Sequence, residues 1–389
     1  MKKIKVMTVF GTRPEAIKMA PLVKELQRRS DEFEVSVAVT AQHREMLDMV
    51  LNLFEIRPDH DLDIMKHGQT ISDITSRVLK GMEDVLEKDR PDILLVHGDT
   101  TTTFAASLAG FYKQVAVGHV EAGLRSGNIY SPYPEEMNRK LTGNIAEIHF
   151  SPTKGNKMNL LREGINEEKI TVTGNTVIDA LISVVNPEYR FGNELDQVDF
   201  ENKKVVLLTC HRRENWGEPM EAIFRAVNRI AEEKEDVQVI FPMHMNPSIR
   251  EKAQRIMGEN NRISLIEPLD YEPFANLMAK SYILMTDSGG IQEEAPALGK
   301  PVVVLRTETE RPEAVEAGTV TVAGIDEENV YKEVMNLIEN NAAYEKMAKA
   351  TNPYGDGKSC KRICDYITWF FGTKSGIEGL TKTEEFLGQ

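Results

Sequence analysis

KIKVMTVFGTRPEAIKMAPLVKELQRRSDEFEVSVAVT, residues 3–40, carries the order strand, loop, helix, strand. Lys3–Val9 reads as a short apolar strand, and Ile17–Arg29 as a helix with Ile17, Met19, Leu22, Val23 and Leu26 on its apolar face. Phe33–Thr40 reads as the second strand. Two continuous apolar strands joined by an amphipathic helix make a parallel pair that must be covered on both faces. The order repeats outward from there. A helix with Ile71, Ile74, Val78, Met82 and Val85 on one face precedes the strand Asp92–His97, and Gln114–Val120 and Ile148–Phe150 continue the series. It restarts at Lys204–Leu208 and runs on through Val237–Pro242, Ile263–Ile266, Tyr282–Thr286 and Pro301–Leu305. The polar stretch Asn186–Asn202 has no clear period, which puts a linker near residues 175–202. The expected fold is α/β, with two doubly wound Rossmann-like domains facing across a cleft, residues 1–180 and 181–356. A tail over 357–389, helical through Cys360, Ile363, Tyr366, Ile367 and Phe370, is expected to pack back on the first domain. Ligands of such folds bind at the C-terminal ends of strands.

The 389 residues are 41% hydrophobic and 28% charged, enough apolar residue to bury a core and too much for disorder. Forty-seven Lys+Arg against 61 Asp+Glu leave a net charge of −14, which suits neither a nucleic-acid partner nor an anionic membrane surface. The three cysteines, Cys210, Cys360 and Cys364, form no CxxC pair, so neither a disulfide framework nor a zinc finger fits. The apolar run before Gly11 reads as a buried strand and not as a secretory signal, and no run approaches 18 apolar residues. A cytoplasmic protein in a reducing compartment is expected.

The loop after the first strand, GTRPEAIKMAP (11–21), stands where a dinucleotide fold carries GxGxxG, yet has one glycine. Instead the turn offers Arg13, a helix start at Pro14 and Lys18 one turn in; the dipole at a helix N-terminus repels cations, and an anion between them would resolve the conflict. Asp99 in HGDTTTT (97–103) follows a buried strand, where a helix cap and a ligand contact are both open readings. Glu121 in HVEAGLRS (119–126) leaves a buried strand beside Gly118 and Gly123. Glu135 and Glu136 open a helix after Pro134, which dipole chemistry alone accounts for. Asp99, Glu121 and Glu135 nonetheless give one sheet edge three carboxylates, the kind of set whose members separate into general acid and base. In the second half His211, Arg212 and Arg213 directly follow a strand, His244 ends another, and MTDSGGIQEEAPALGKPVVVL (285–305) joins strand, glycine turn, helix and strand. Asp287 or Ser288 is a candidate cap, Gly289 and Gly290 admit a phosphate to backbone N–H groups, and Glu293 or Glu294 can accept from ribose hydroxyls. Pro296 predicts a bent or short helix, and Arg306 and Arg311 are expected near the same ligand.

Taken together, GTRPEAIKMAP, HGDTTTT, HVEAGLRS, PEEMNR, HRREN, DSGGIQEEAPALGKP and TERPEA (309–314) resemble the non-hydrolysing UDP-N-acetylglucosamine 2-epimerases of bacteria and archaea. The resemblance runs in order from residue 4 to beyond 350. It implies the GT-B fold, a homodimer, and interconversion of UDP-GlcNAc and UDP-ManNAc for cell-surface polysaccharide synthesis, with neither NAD nor a metal. It also implies that Arg13, Lys18, Phe274, Ser288, Gly289, Gly290, Glu294 and Arg311 hold UDP, while Asp99, Glu121, Glu135 and His211 surround the sugar and pyrophosphate. Some bacterial members are activated by a second UDP-GlcNAc, for which Gln42, His43, Gln69, Glu135, Arg212 and His244 are the candidates. The C2 proton of GlcNAc has no adjacent carbonyl, so elimination of UDP to 2-acetamidoglucal and its re-addition is the expected route. A glycosyltransferase, a hydrolysing epimerase and a nucleotide-sugar sensor are the competing readings.

Overall fold

A computed structural model describes residues 2–41, 44–376 and 381–388 of the chain. The chain divides into two units, the first made of Met1–Ser183 with Tyr354–Gly388 and the second of Val184–Pro353.

The first unit runs β1 (Ile4–Phe10), α1 (Arg13–Arg28), β2 (Phe33–Val39), α2 (Arg44–Leu53), β3 (His60–Asp61), α3 (Ile71–Asp89) and β4 (Ile93–His97). It continues with α4 (Thr101–Tyr112), β5 (Ala116–Val120), α5 (Glu135–Ile145), β6 (Ile148–Ser151), α6 (Lys154–Arg162), β7 (Ile170–Val172) and α7 (Thr176–Val184). Its seven strands are parallel in the order β3-β2-β1-β4-β5-β6-β7, so the direction of winding reverses between β1 and β4. A crevice opens at such a reversal, because the loops after the two strands diverge to opposite faces. The core follows from sequence period. On α3, Ile74, Val78, Met82 and Val85 recur every three or four residues and bury against Ala105, Ala106 and Ala109 of α4.

The second unit runs β8 (Lys204–Thr209), α8 (Glu218–Glu233), β9 (Val237–Pro242), α9 (Pro247–Met257), β10 (Ile263–Ile266), α10 (Tyr271–Lys280) and β11 (Ile283–Thr286). Then come α11 (Gly289–Glu294), β12 (Val302–Val304), α12 (Pro312–Glu316), β13 (Val320–Val322), α13 (Glu327–Glu339) and α14 (Asn341–Ala348). The parallel order β10-β9-β8-β11-β12-β13 again reverses, between β8 and β11. Phe224 of α8 packs on Phe241 of β9 at a centroid distance of 5.5 Å, inside a core of Val, Ile and Leu from the strands.

The last helix, α15 (Ser359–Lys374), belongs to the first unit. Tyr366 meets Phe150 edge-on at 5.7 Å, Asp365 pairs with Arg29 at 2.6 Å, and the Phe386 N–H donates to Val172 O at 2.8 Å. Cys360 and Cys364 are buried in this packing.

Several local readings are corrected. The first helix begins at Arg13, one residue before the start expected at Pro14 and four before the apolar face at Ile17, because Thr12 and Glu15 form a capping box and Pro14 fits the first turn. Residues 176–184 of the expected linker are helix, with Val177, Ile178 and Leu181 buried. The short strands β3, β7 and β13 escape a periodicity reading, since two or three residues carry no period. Helix α11 ends at Glu294 and passes into a 3-10 turn over Ala295–Leu298, as Pro296 requires.

Candidate active site

In the first unit, Arg13 follows β1, Asp99 follows β4 and Glu121 follows β5, three strand ends around the winding reversal. The approach of the loops is close: a Cβ on Gly11 would fall 1.9 Å from Thr40 Oγ1 and 2.8 Å from Thr102 Oγ1, so only glycine fits. Glu15, itself buried, accepts from the Gly11 and Thr12 N–H groups at 3.0 and 2.8 Å. Its other oxygen accepts from the Thr100 and Thr103 hydroxyls at 2.7 and 3.2 Å. Burial raises the Glu15 pKa, and these hydrogen bonds oppose the rise. Arg13 is exposed at the head of α1.

Glu121 is the most constrained group. Its φ is 62°, a left-handed conformation that costs a non-glycine residue about 1 kcal/mol or more. The Lys18 ammonium donates to its Oε2, which also accepts from Asn175 Nδ2 at 2.9 Å and lies 3.7 Å from His97 Nε2. Burial pushes the Glu121 pKa up, but Lys18 and the surrounding donors outweigh it and hold the carboxyl well below its usual range. Burial takes His97 down to about 3, so it is neutral near pH 7 and Lys18 is the cation that keeps Glu121 ionised. Lys18 therefore faces a carboxylate of its own unit.

Asp99 is not the cap of α4; Thr100 is, accepting from the Thr103 N–H at 3.1 Å. The Asp99 carboxylate instead receives Arg139 of α5, through Nε at 2.9 Å and Nη2 at 2.6 Å. Glu136 binds the same guanidinium at 3.0 Å and the Ser126 and Gly127 N–H groups, which makes it a buried brace for that loop. Glu135 lies one turn before Arg139, and its Oε2 is buried with no hydrogen-bond partner. The structure thus brings Asp99, Glu121 and Glu135 to one edge of the first unit. It adds Glu15, Asn175, Arg139 and His97, which sequence reasoning missed. Only Glu15 left a legible signal, the T-x-x-E pattern of Thr12–Glu15.

In the second unit the loops after β8 and β11 meet at the other reversal. Asp287 caps no helix, and Ser288, at the cap position of α11, makes no side-chain cap bond. The buried Asp287 carboxylate accepts from the His211 and Arg212 N–H groups at 2.8 Å each and from Asn215 Nδ2 at 3.1 Å. Its Oδ1 lies 3.2 Å from His211 Nδ1. Burial lowers the His211 pKa, Asp287 opposes this, and Arg212 and His244 add to it. The His211 and His244 rings lie 6.2 Å apart and nearly parallel at 13°. A Cβ on Gly289 would sit 3.8 Å from Arg311 Nη2 and 3.9 Å from Arg212 Nη2, so two guanidinium groups converge over the glycine turn. Arg311 is steadied by Glu293, which is buried, and Arg306 is tied to Glu214 at 2.6 Å. Glu294 Oε1 lies 3.4 Å from a Cβ built on Gly290, and Phe274 is half-buried on α10. Of the remaining candidates, Gln69 in the first unit accepts from Arg77 at 2.8 Å. Gln42 and His43 lie outside the described residues. Among the described residues no group of three or more His, Cys, Asp or Glu is arranged to hold a metal ion, and no helix is long and apolar enough to cross a membrane.

Carboxylates gather at one winding reversal and guanidinium groups at the other, in an α/β protein built from two Rossmann-like units. A family model described as UDP-N-acetylglucosamine 2-epimerase matches residues 24–368. The UDP-N-acetylglucosamine 2-epimerase of Bacillus subtilis is 57% identical over 372 residues, 96% of this chain and 97% of that one. A crystal structure of a UDP-N-acetylglucosamine 2-epimerase is 53% identical with a TM-score of 0.91, covering 99% of this chain and 100% of that one. The UDP-GlcNAc 2-epimerase of Neisseria meningitidis, solved bound to UDP-GlcNAc, is 50% identical with a TM-score of 0.82 over 94% and 99% of the two chains. The chain belongs to the UDP-N-acetylglucosamine 2-epimerase family, a family of isomerases.

Proposed function

We propose that this chain interconverts UDP-GlcNAc and UDP-ManNAc by eliminating UDP and adding it back. The observation that carries the reading is Glu121, ionised by Lys18 on the same strand-end edge as Asp99 and Glu135. A carboxylate takes the C2 proton, the C1–O bond breaks with its electron pair on the β-phosphate oxygen, and C1 and C2 become doubly bonded. A second carboxylate then protonates C2 from the opposite face while the phosphate oxygen returns to C1. No redox carrier enters this balance. Asp99 and Glu121 are the proposed proton-transfer pair, with Glu135 tuning or protonating. Arg13 and His211 stabilise the charge that builds on the departing pyrophosphate.

On this reading residues 181–356 form the UDP domain, with Phe274, Ser288, Gly289, Gly290, Glu294 and Arg311 as contacts and Lys18 as a further cation. Residues 1–180 and the tail form the sugar domain. The converging Arg212 and Arg311 side chains support the UDP assignment. The working form is a homodimer in the cytoplasm, and the UDP-ManNAc supplies cell-surface polysaccharide. A second UDP-GlcNAc, contacted by Gln42, His43, Gln69, Glu135, Arg212 and His244, activates it.

Proton NMR of UDP-GlcNAc with the enzyme in D₂O tests the mechanism. Deuterium at C2 of UDP-ManNAc and of recovered substrate is expected. Protium retained in the epimerised product would reject elimination, and free ManNAc would indicate hydrolysis. Pure UDP-ManNAc should react slowly until a trace of UDP-GlcNAc is added, and immediate full-rate turnover would reject activation.

A further inference from the structure

We infer that Glu15 is a positioning residue for the reaction, holding the loop that carries Arg13 at a set distance from the loop that carries Asp99. The inference rests on the function proposed above, which gives Arg13 the pyrophosphate and Asp99 a proton. An ordinary capping box needs one carboxylate oxygen, to close the backbone N–H groups at the helix start. Glu15 uses Oε2 for that, on Gly11 and Thr12. Its Oε1 reaches across the winding reversal to the Thr100 and Thr103 hydroxyls at the head of α4, 85 and 88 residues further along the chain. Arg13 adjoins Thr12 and Asp99 adjoins Thr100, so one carboxylate spans the residues next to both functional groups.

Three observations show that the span is tight. The neighbouring Thr40–Thr102 hydroxyl pair is 2.9 Å apart, and no atom larger than hydrogen fits on Gly11 beside it. The single Thr103 hydroxyl proton is shared between Glu15 Oε1 and His97 O at the end of β4, which ties the bridge to the strand itself. Glu15 is 2% exposed, so water does not compete for its oxygens. Oε2 accepts from two backbone N–H groups and Oε1 from the Thr100 hydroxyl, with the Thr103 hydroxyl shared with His97 O, so both carboxyl oxygens are engaged. Slackening such a bridge shifts the pyrophosphate cation against the base, and misplacement on the order of 1 Å costs about a hundredfold in rate.

The test is a double-mutant cycle of Glu15→Gln and Thr100→Val, with Thr100→Ser as the conservative control. Each protein is measured for kcat and KM with UDP-GlcNAc, for UDP affinity by calorimetry, and for thermal unfolding. Gln can still accept from Gly11 and Thr12 while its amide faces the two hydroxyls, so the cap survives and the bridge weakens. Glu15→Gln should lower kcat about ten- to a hundredfold, with KM and UDP affinity within about threefold and unfolding still cooperative. Thr100→Val should do the same, the double variant should be no worse than the poorer single variant, and Thr100→Ser should recover most of the rate. Unchanged kcat in Glu15→Gln, or effects of the two substitutions that simply multiply, would overturn the inference. A wild-type chain inert toward UDP-GlcNAc would instead overturn the proposed function, and the inference with it.

Discussion

Replacing Lys18 by Met isolates the electrostatics of Glu121. Met keeps the length and apolar stem of lysine and removes the charge. The Glu121 side chain is 12% exposed and that of Lys18 21%, so the pair is largely desolvated. Removing one partner of a buried pair costs about 3–5 kcal/mol, and the residual exposure of Lys18 puts this pair near 3. In the wild type the Glu121 pKa is depressed, so its contribution is present above the unfolded value of about 4.3 and is lost as pH falls through the folded value. In the variant burial dominates and the pKa lies above the unfolded value. The folded variant then holds a proton the unfolded chain has lost, and its stability declines as pH rises from about 4.3 through the new folded pKa. The gap between the two proteins should therefore already be open at pH 5, where the wild-type contribution is complete, and widen through the variant's raised folded pKa to about 3 kcal/mol by pH 8. Urea denaturation at several pH values, followed by a probe in the first unit, measures it. The acid limb of kcat against pH should move upward in the variant if Glu121 must be ionised. A gap that is constant with pH, or below about 1 kcal/mol at pH 8, would refute the account of Lys18 as the group that ionises Glu121.

Asp287→Ala deprives the His211 and Arg212 N–H groups of their acceptor, which should cost about 2–4 kcal/mol of stability and lower kcat more than a hundredfold. Denaturation and steady-state kinetics check both, and a variant with normal kcat would show that the ordering of His211 is immaterial. Gly289→Ala adds a methyl at ordinary contact distance from Arg212 and Arg311, so thermal stability should hold while UDP binding by calorimetry weakens about tenfold as the methyl fills the approach to both guanidinium groups. Burial takes His97 and His149 down to about 3 and His119 to about 4, and the unfolded chain binds those protons first. Stability should therefore fall as pH drops below about 6.5, with a slope near pH 5 of about 1.4 kcal/mol per pH unit for each histidine, and His149→Gln should remove about a third of the three-histidine total.

Much of the fold was legible in the chain because burial writes a period into it. Continuous apolar runs such as Asp92–His97 separated by helical stripes such as Ile74, Val78 and Met82 admit few arrangements other than parallel strands covered on both faces, and motif spacing was enough to name the family. Chain order also told which residues leave the C-terminal ends of strands, since each strand's loop follows it directly. What spacing could not tell is which of those residues meet. Lys18 and Glu121 are 103 positions apart and Glu15 and Thr100 are 85 apart, and only the winding reversal brings each pair into contact. The same holds for Asp287, which reads as a helix cap from its neighbours and turns inward to accept from the His211 and Arg212 N–H groups of the loop after β8. A carboxylate's protonation likewise depends on how deeply the fold buries it and which cation it is buried with. Sequence set the elements and the family; tertiary structure decided the partners, because charge and hydrogen bonding act through space over a few ångströms regardless of distance along the chain.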